Sequence, residues 1–280
     1  MNKKEKQERN KKIIEEYKNG SSSLQLSEKY NMSYSGILYV LKTAGVKRRS
    51  NKENSRKYSL DEKFFEVIDT EEKAYWLGFI YADGYISINN NQKVFGITLS
   101  SSDKEHLEAF KKSIKSTYPI HDYISSNSYK IGTEYSRIAM TSDKIVDDLI
   151  KLGVIEHKTN MLTFPTEEQV PKHLIHHFIR GYFDGDGCIT CYKCGGYDRY
   201  KTCFIGTYDF LNSINNIINE SCKIKIPKLY KRREEQEVYS LEYSSNKRSK
   251  ELYKFMYKNS TIYLNRKRNK FSRLIEKDNL

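Results

Sequence analysis

Residues 74–86 read Ala-Tyr-Trp-Leu-Gly-Phe-Ile-Tyr-Ala-Asp-Gly-Tyr-Ile, and residues 177–189 read His-Phe-Ile-Arg-Gly-Tyr-Phe-Asp-Gly-Asp-Gly-Cys-Ile. Aligned, Gly78 falls on Gly181, Ala82 on Gly185, Asp83 on Asp186 and Gly84 on Gly187, at an offset of 103 residues. The matching continues downstream. Each Asp-Gly leads into two strands (85–88 and 94–99; 188–192 and 202–206) and then an acid-led helix (103–116; 209–220). Two more strands follow, the last at 136–140 or 238–243, and a helix closes each unit (144–152; 247–257). The order αββαββα, run twice, predicts an α+β fold of two pseudo-twofold-related subdomains, 70–165 and 166–280.

The spacing inside the repeated segment carries physical content. Gly78 and Ala82, like Gly181 and Gly185, are four apart and share a helix face. Small residues at that interval let two helix backbones approach closely, and the natural partner of each helix is its copy. An acid then falls at the carboxyl end of each helix, so a close crossing brings Asp83 and Asp186 together. Two carboxylates there repel each other and the exposed carbonyls. A divalent cation between them relieves both repulsions, and hard oxygen ligands suit Mg²⁺.

Charge is segregated along the chain. The total is +13, but residues 1–60 carry +9, residues 61–222 carry −6 and residues 223–280 carry +10. Two basic ends around a carboxylate-bearing middle suit a protein that holds a polyanion and uses metal ions on it. No apolar run approaches the ~18 residues of a membrane span. The amino terminus runs into charged residues, so no secretory signal is expected. Five cysteines, all in the second half, form no disulfide framework and fit a reducing intracellular setting.

The duplicated acid-ended helix, each copy followed by ββαββα and a basic segment, resembles the LAGLIDADG motif. Residues 70 to about 275 are similar to a single-chain, double-motif LAGLIDADG homing endonuclease. That resemblance implies two four-stranded sheets in successive major grooves, with the paired helices presenting Asp83 and Asp186 as metal-binding acids. Lys158 and Lys267 match the basic residues of the family's catalytic pocket, and Ser100 or Ser101 and Thr207 its polar ones. The implied cofactor is Mg²⁺, with Mn²⁺ able to substitute. The implied partner is double-stranded DNA, bound by a monomer and cut on both strands at a long asymmetric site. The host setting is a phage or an intron. Lys93, Lys130, Arg137, Lys193, Arg199, Lys201, Lys228, Arg232 and Arg233 are candidates for groove and phosphate contacts. The first motif has Tyr81 where the second has Asp184, and Arg180 reads as an outward-facing helix position. A splicing maturase and a cleavage-incompetent DNA-binding regulator are the alternatives on the same fold.

The first fifty residues form a separate case. Apolar Ile13, Ile14 and Tyr17 place a helix over 11–17, Ser21–Ser23 can cap a second, and Ser33 a third, with Asn31 in the tight turn between them. This pattern resembles a helix-turn-helix domain, 1–50, with 51–69 as a linker; Ser27 stands where such motifs usually have Ala. Tyr34, Ser35, Tyr39 and Lys42 would then face the major groove, and Lys47, Arg48 and Arg49 the phosphates or minor groove.

Other clusters read more plainly. Asp184-Gly185-Asp186-Gly187 has Cys188 at the fifth position of a would-be calcium loop and fails that pattern. Cys188, Cys191 and Cys194 are more simply small strand residues than zinc ligands, because 188 and 191 alternate in face. His173, His176 and His177 read as surface residues.

Overall fold

The protein is described here by a computed structural model covering residues 3–47, 57–89, 92–126, 131–156, 161–233 and 236–276. The chain divides at Tyr58 into two units. In the smaller, α1 (Lys3–Lys18), α2 (Ser23–Lys29) and α3 (Tyr34–Thr43) enclose Ile13, Tyr17, Leu26, Ile37, Val40 and Leu41. The first helix starts well before residue 11, because nothing in its charged first turns breaks it. Ser22 and Gln25 close a capping box on α2, and the Ser33 hydroxyl caps α3 through the Gly36 N–H. Asn31 takes the left-handed conformation, φ +45°, that the turn requires. Ser27 has its own reason to be there: its hydroxyl donates to the Met32 carbonyl across that turn at 2.7 Å.

The larger unit begins at Ser59, and residues 59–69 are not linker. Phe64, Phe65 and Ile68 are buried in its core, and the Asp61 N–H donates to the Ile114 carbonyl. Three apolar side chains at i, i+1 and i+4 are enough to dock a segment whose overall composition is polar. From there the chain runs α4 (Glu71–Asp83), β1 (Gly84–Asn89), β2 (Gln92–Ser100), α5 (Lys104–Ser113), β3 (Ile120–Ile124), β4 (Glu134–Thr141) and α6 (Asp143–Lys151). The second half repeats the order: α7 (Ile175–Asp186), β5 (Cys188–Cys194), β6 (Tyr197–Gly206), α8 (Tyr208–Cys222), β7 (Leu229–Arg233), β8 (Gln236–Ser244) and α9 (Asn246–Tyr257). A further helix, α10 (Asn265–Glu276), holds what the sequence marked only as a basic segment.

Both sheets are antiparallel with the same strand order, β1-β2-β4-β3 and β5-β6-β8-β7. On one face Phe95, Ile97, Leu99, Ile138 and Met140, and in the second sheet Thr202, Phe204, Leu241 and Tyr243, are buried in the core. The alternate residues form an opposite face that is largely exposed or half-buried.

The core centres on α4 and α7, which cross with almost no side chain between them. A β-carbon at Gly78 would lie 2.0 Å from the Phe178 carbonyl oxygen, and one at Gly181 would lie 2.0 Å from the Tyr75 carbonyl oxygen. Residue 178 is residue 75 plus the repeat offset, so the contact is reciprocal. That reciprocity is the pseudo-twofold axis, expressed at the level of single atoms.

Arg180 is the clearest correction to the sequence reading. It is fully buried rather than outward-facing. Its guanidinium donates to the Ile262 and Met256 carbonyls, to His177 Nδ1 at 2.7 Å and to Glu71 Oε1 at 2.7 Å. Glu71 opens α4, so this ion pair ties the first repeat to the second, and the same carboxylate oxygen accepts the Thr261 N–H. Removing Glu71 leaves a buried cation without its counter-charge. Glu71→Ala is therefore expected to cost about 3 kcal/mol, read as a lowered urea midpoint; an unchanged midpoint would mean the pair contributes nothing.

His177 and His176 are half-buried rather than surface residues; His173 is exposed. Burial, helped by Arg180, pushes the His177 imidazole down to about 4. Burial pushes His106, on α5, down to about 3. Both stay neutral in the folded protein where the unfolded chain, near 6.5, takes up protons. The unfolded state then binds more protons below pH 6.5, so stability falls as pH drops from 6.5 towards 4. Urea titrations at pH 7 and pH 5 should differ accordingly, and replacing His106 with Gln should flatten that difference.

Candidate active site

Both α4 and α7 end at their acid. Gly84 and Gly187 leave the helices in extended conformation, their N–H groups closing the last turns onto the Ile80 and Phe183 carbonyls. The crossing continues to these ends. A β-carbon at Gly185 would sit 2.3 Å from Ala82 Cβ and 3.3 Å from Asp83 Oδ2. The Asp83 carboxylate therefore lies against the residue preceding Asp186, as the spacing of the small residues required. Asp83 is half-buried and Asp186 exposed. The two carboxylates act on the same neighbours. Both help hold the buried Tyr182 hydroxyl far above its usual range, after burial itself, and both bear on the Lys267 ammonium.

Lys267 lies in the first turn of α10, only 4 % exposed. Its Nζ donates to the Phe183 carbonyl at 2.8 Å and the Gly185 carbonyl at 2.6 Å. The Phe183 carbonyl already accepts the Gly187 N–H and the Gly185 carbonyl lies beyond the last internal bond of α7, so the ammonium adds its donors at a helix end where a cation is favoured. Burial pushes the ammonium down to about 8, opposed by the nearby Asp184, Asp83 and Asp186 carboxylates. Lys158, expected to play the same part in the first half, lies outside the described residues, as do Arg48, Arg49 and Lys130.

Asp184 and its counterpart Tyr81 differ in role as well as identity. The Asp184 carboxylate is fully buried and accepts from Tyr75 Oη at 2.8 Å, Tyr257 Oη at 2.5 Å and the Leu264 N–H at 2.8 Å. Tyr75 Oη also meets His106 Nε2 at 2.9 Å. The single Tyr75 proton goes to Asp184, so the imidazole donates. In the first half Tyr81 Oη instead donates to the Leu152 carbonyl at 2.5 Å. Gly153, at φ +94°, leaves room for that hydroxyl, since a β-carbon there would lie 2.2 Å from it. Sequence spacing gives no sign of this network, because its hydrogen-bonded pairs are up to 109 residues apart.

The expected DNA-contact residues separate by face. Arg137, on β4, is on the open face, with Nε 2.8 Å from Tyr85 Oη and the guanidinium 4.9 Å from the Tyr85 ring centre. Gly96 makes that arrangement possible: a β-carbon would meet the Tyr85 hydroxyl at 2.7 Å. Tyr123 and Tyr135 stack on the same face at 5.7 Å. Arg199 and Lys201 lie on the open face of the second sheet, with Lys201 paired to Glu242. Lys228 and Arg232 are exposed; the Arg233 side chain lies outside what is described. Lys93 differs from expectation. It shares the parity of Phe95 and Ile97 and pairs with Asp147 on α6, on the helix-covered side. Lys193 likewise falls on the parity of Ile189 and pairs with Asp198. The alternation that sorts faces was legible, but which face the helices cover was not.

The polar candidates have local partners. Thr207 Oγ1 donates to the Leu162 carbonyl, while the Ser100 and Ser101 hydroxyls take part in a serine cluster with Ser102 and Ser136. Along β5 the cysteines face different neighbours: Cys188 is opposite Cys203, Cys191 opposite Tyr200 and Cys194 opposite Tyr197. In the small unit Tyr34, Ser35, Tyr39 and Lys42 are all exposed on one side of α3, and Lys47 follows them.

Comparison with known proteins agrees with this geometry. The LAGLIDADG-like domain family matches residues 70–151, the first repeat. No curated protein matches the chain. Among solved structures, the homing endonuclease I-WcaI bound to its DNA recognition sequence is similar, with a TM-score of 0.54 at 13% identity over 81% of this chain and 96% of that one. The I-LtrWI LAGLIDADG homing endonuclease bound to target DNA aligns with a TM-score of 0.51 at 12% identity, over 74% of this chain and 89% of that one. Among the described residues no helix is long and apolar enough to cross a membrane. The chain thus has the LAGLIDADG homing endonuclease fold, and its first repeat matches the LAGLIDADG-like domain.

Proposed function

We propose that this chain is a site-specific DNA endonuclease that breaks both strands of a long asymmetric target in a divalent-metal-dependent reaction. The observation that carries the reading is the meeting of the two helix ends. Asp83 packs against Gly185, immediately before Asp186, beside a buried lysine. Metal binding fits these residues: two hard oxygen donors stand together at helix carboxyl ends, where negative charge is otherwise disfavoured. Asp83 and Asp186 would hold the ion, Mg²⁺ or Mn²⁺. When bound, it supplies an activated water and neutralises charge on the scissile phosphate.

The chain's own residues supply the rest. An ammonium has three N–H donors, and Lys267 has two fixed on the Phe183 and Gly185 carbonyls. The third remains to meet a phosphate oxygen as charge builds in the transition state. The open sheet faces, with Tyr85–Arg137 and Tyr123–Tyr135 on one and Arg199 and Lys201 on the other, offer cations and aromatic rings to a groove. The halves differ in these residues, so the target they read is non-palindromic. Solved relatives of the fold are described as DNA-bound, which agrees. A monomer acting on intracellular DNA of a phage or an intron-bearing gene is the setting this reading implies.

Selection of cleaved sites from a randomised duplex library in Mg²⁺ tests the proposal. A single enriched asymmetric site, lost in EDTA, is expected; no double-strand break with Mg²⁺ or Mn²⁺ would sink it. The small unit is proposed as a helix-turn-helix that extends the contact through α3. Deleting residues 1–50 should weaken target binding about 10-fold or more by removing several phosphate contacts, and should shorten the protected footprint. An unchanged footprint would return that unit to a structural role.

A further inference from the structure

We infer that Asp184 is the positioning residue of the second half-site, holding Lys267 against the paired acids with the help of Tyr75 from the other repeat. The inference rests on the endonuclease reading of that site and adds to it a residue that does not touch the reacting atoms.

The geometry is a closed ring. Asp184 Oδ2 accepts the Leu264 N–H. Leu264 starts α10: its carbonyl accepts the N–H groups of Lys267 at 3.1 Å and Arg268 at 3.2 Å. Lys267 then returns its ammonium to the carbonyls of Phe183 and Gly185, the two residues flanking Asp184. One carboxylate thus fixes the start of the helix that carries the lysine, and the lysine closes back on the helix that carries the carboxylate. A charged acceptor on a backbone N–H makes the stronger kind of hydrogen bond.

The first repeat reaches into this ring twice. Tyr75 donates to Asp184 Oδ2, with His106 behind it. On the outer side Arg266, the residue before Lys267, pairs through Nε with Asp103 at 2.7 Å. The first turn of α10 is therefore gripped from within by Asp184 and from the other subdomain by Asp103. Tyr81, where Asp184 would stand in the first half, binds a carbonyl instead of a backbone N–H. Among the described residues the first half has no such carboxylate clamp at this position, so its loss should act on one strand of the target.

The test uses the full chain with Asp184→Asn and Asp184→Ala. Asn keeps the shape and loses the charge; Ala removes the clamp, and Asn remains informative if Ala does not fold. Two readouts are taken on folded protein. The first is acylation of lysines by acetic anhydride, resolved by mass spectrometry and normalised to exposed Lys151. Lys267 labelling is expected to rise several-fold in Asn and at least about 10-fold in Ala, as the ring opens. The second is single-turnover cleavage with each strand labelled separately. One strand should be cut about 10-fold more slowly in Asn with little change in target binding, the other at a rate near wild type. Unchanged Lys267 labelling in folded variants overturns the inference, and so does an equal loss on both strands. If the wild type cuts no DNA, the endonuclease reading fails on its own, and the labelling result still decides whether Asp184 positions Lys267.

Discussion

Asp83→Asn and Asp186→Asn should each lower Mg²⁺-dependent cleavage of the cognate site by about 10³-fold or more, with target binding retained. The magnitude follows from removing a metal ligand together with the charge stabilisation that the metal brings to the phosphate. Folding should be spared, because neither carboxylate is fully buried and the repulsion each feels from the helix-end carbonyls offsets its attraction for the Lys267 ammonium. Neutralising them is expected to change stability little. The readouts therefore separate: cleavage is lost, while thermal midpoint and gel-shift affinity are held. A variant with both acids replaced that still cuts at wild-type rate would place the chemistry elsewhere.

The second large effect lies at the helix crossing. Gly78→Ala or Gly181→Ala puts a β-carbon where a backbone carbonyl oxygen of the opposite helix stands 2.0 Å away. A backbone atom in the centre of a helix cannot swing aside, so the helices must separate. Every contact along the pair then loosens, with a cost of about 4 kcal/mol or more, beyond the usual range for overpacking. Against a total stability of about 5–15 kcal/mol, that leaves little folded protein. Gly185→Ala is a useful contrast. Its β-carbon meets the Ala82 methyl and the Asp83 carboxylate, at a helix end that has more freedom. It should cost less stability and more cleavage, by moving the acids apart. If all three variants melt like the wild type, the crossing is not as close as described.

Much of this was legible in the sequence, for a physical reason. The repeat fixed topology because two copies of αββαββα each need a partner to bury the same small-residue face. Gly78, Ala82, Gly181 and Gly185 told which face it was, and the acids at the helix ends followed. Local signals such as Ser22, Ser33 and Asn31 were equally readable, because caps and turns depend on neighbours within a few residues. Long-range satisfaction of buried charge was not. Arg180 looks polar and therefore exposed, yet its partners come from Glu71, Met256 and Ile262, which no spacing rule connects. The Asp184 network fails to announce itself for the same reason. Lys93 was misplaced because strand alternation gives two faces without naming the covered one. Residues 59–69 were misread because three docked apolar side chains are diluted by polar neighbours in a compositional average.

The backbone contact between α4 and α7 also sets how this protein can change. Side chains on the open sheet faces are free to vary, because they support nothing beneath them. The distance between the two sheets is not, because it is defined by two glycine-to-carbonyl contacts that leave no slack. The molecule behaves as a fixed gauge with exchangeable jaws. On the endonuclease reading proposed above, new targets would be reached by substituting residues such as Arg137, Arg199 and Lys201, while the interval between the two half-sites would stay constant through every such change.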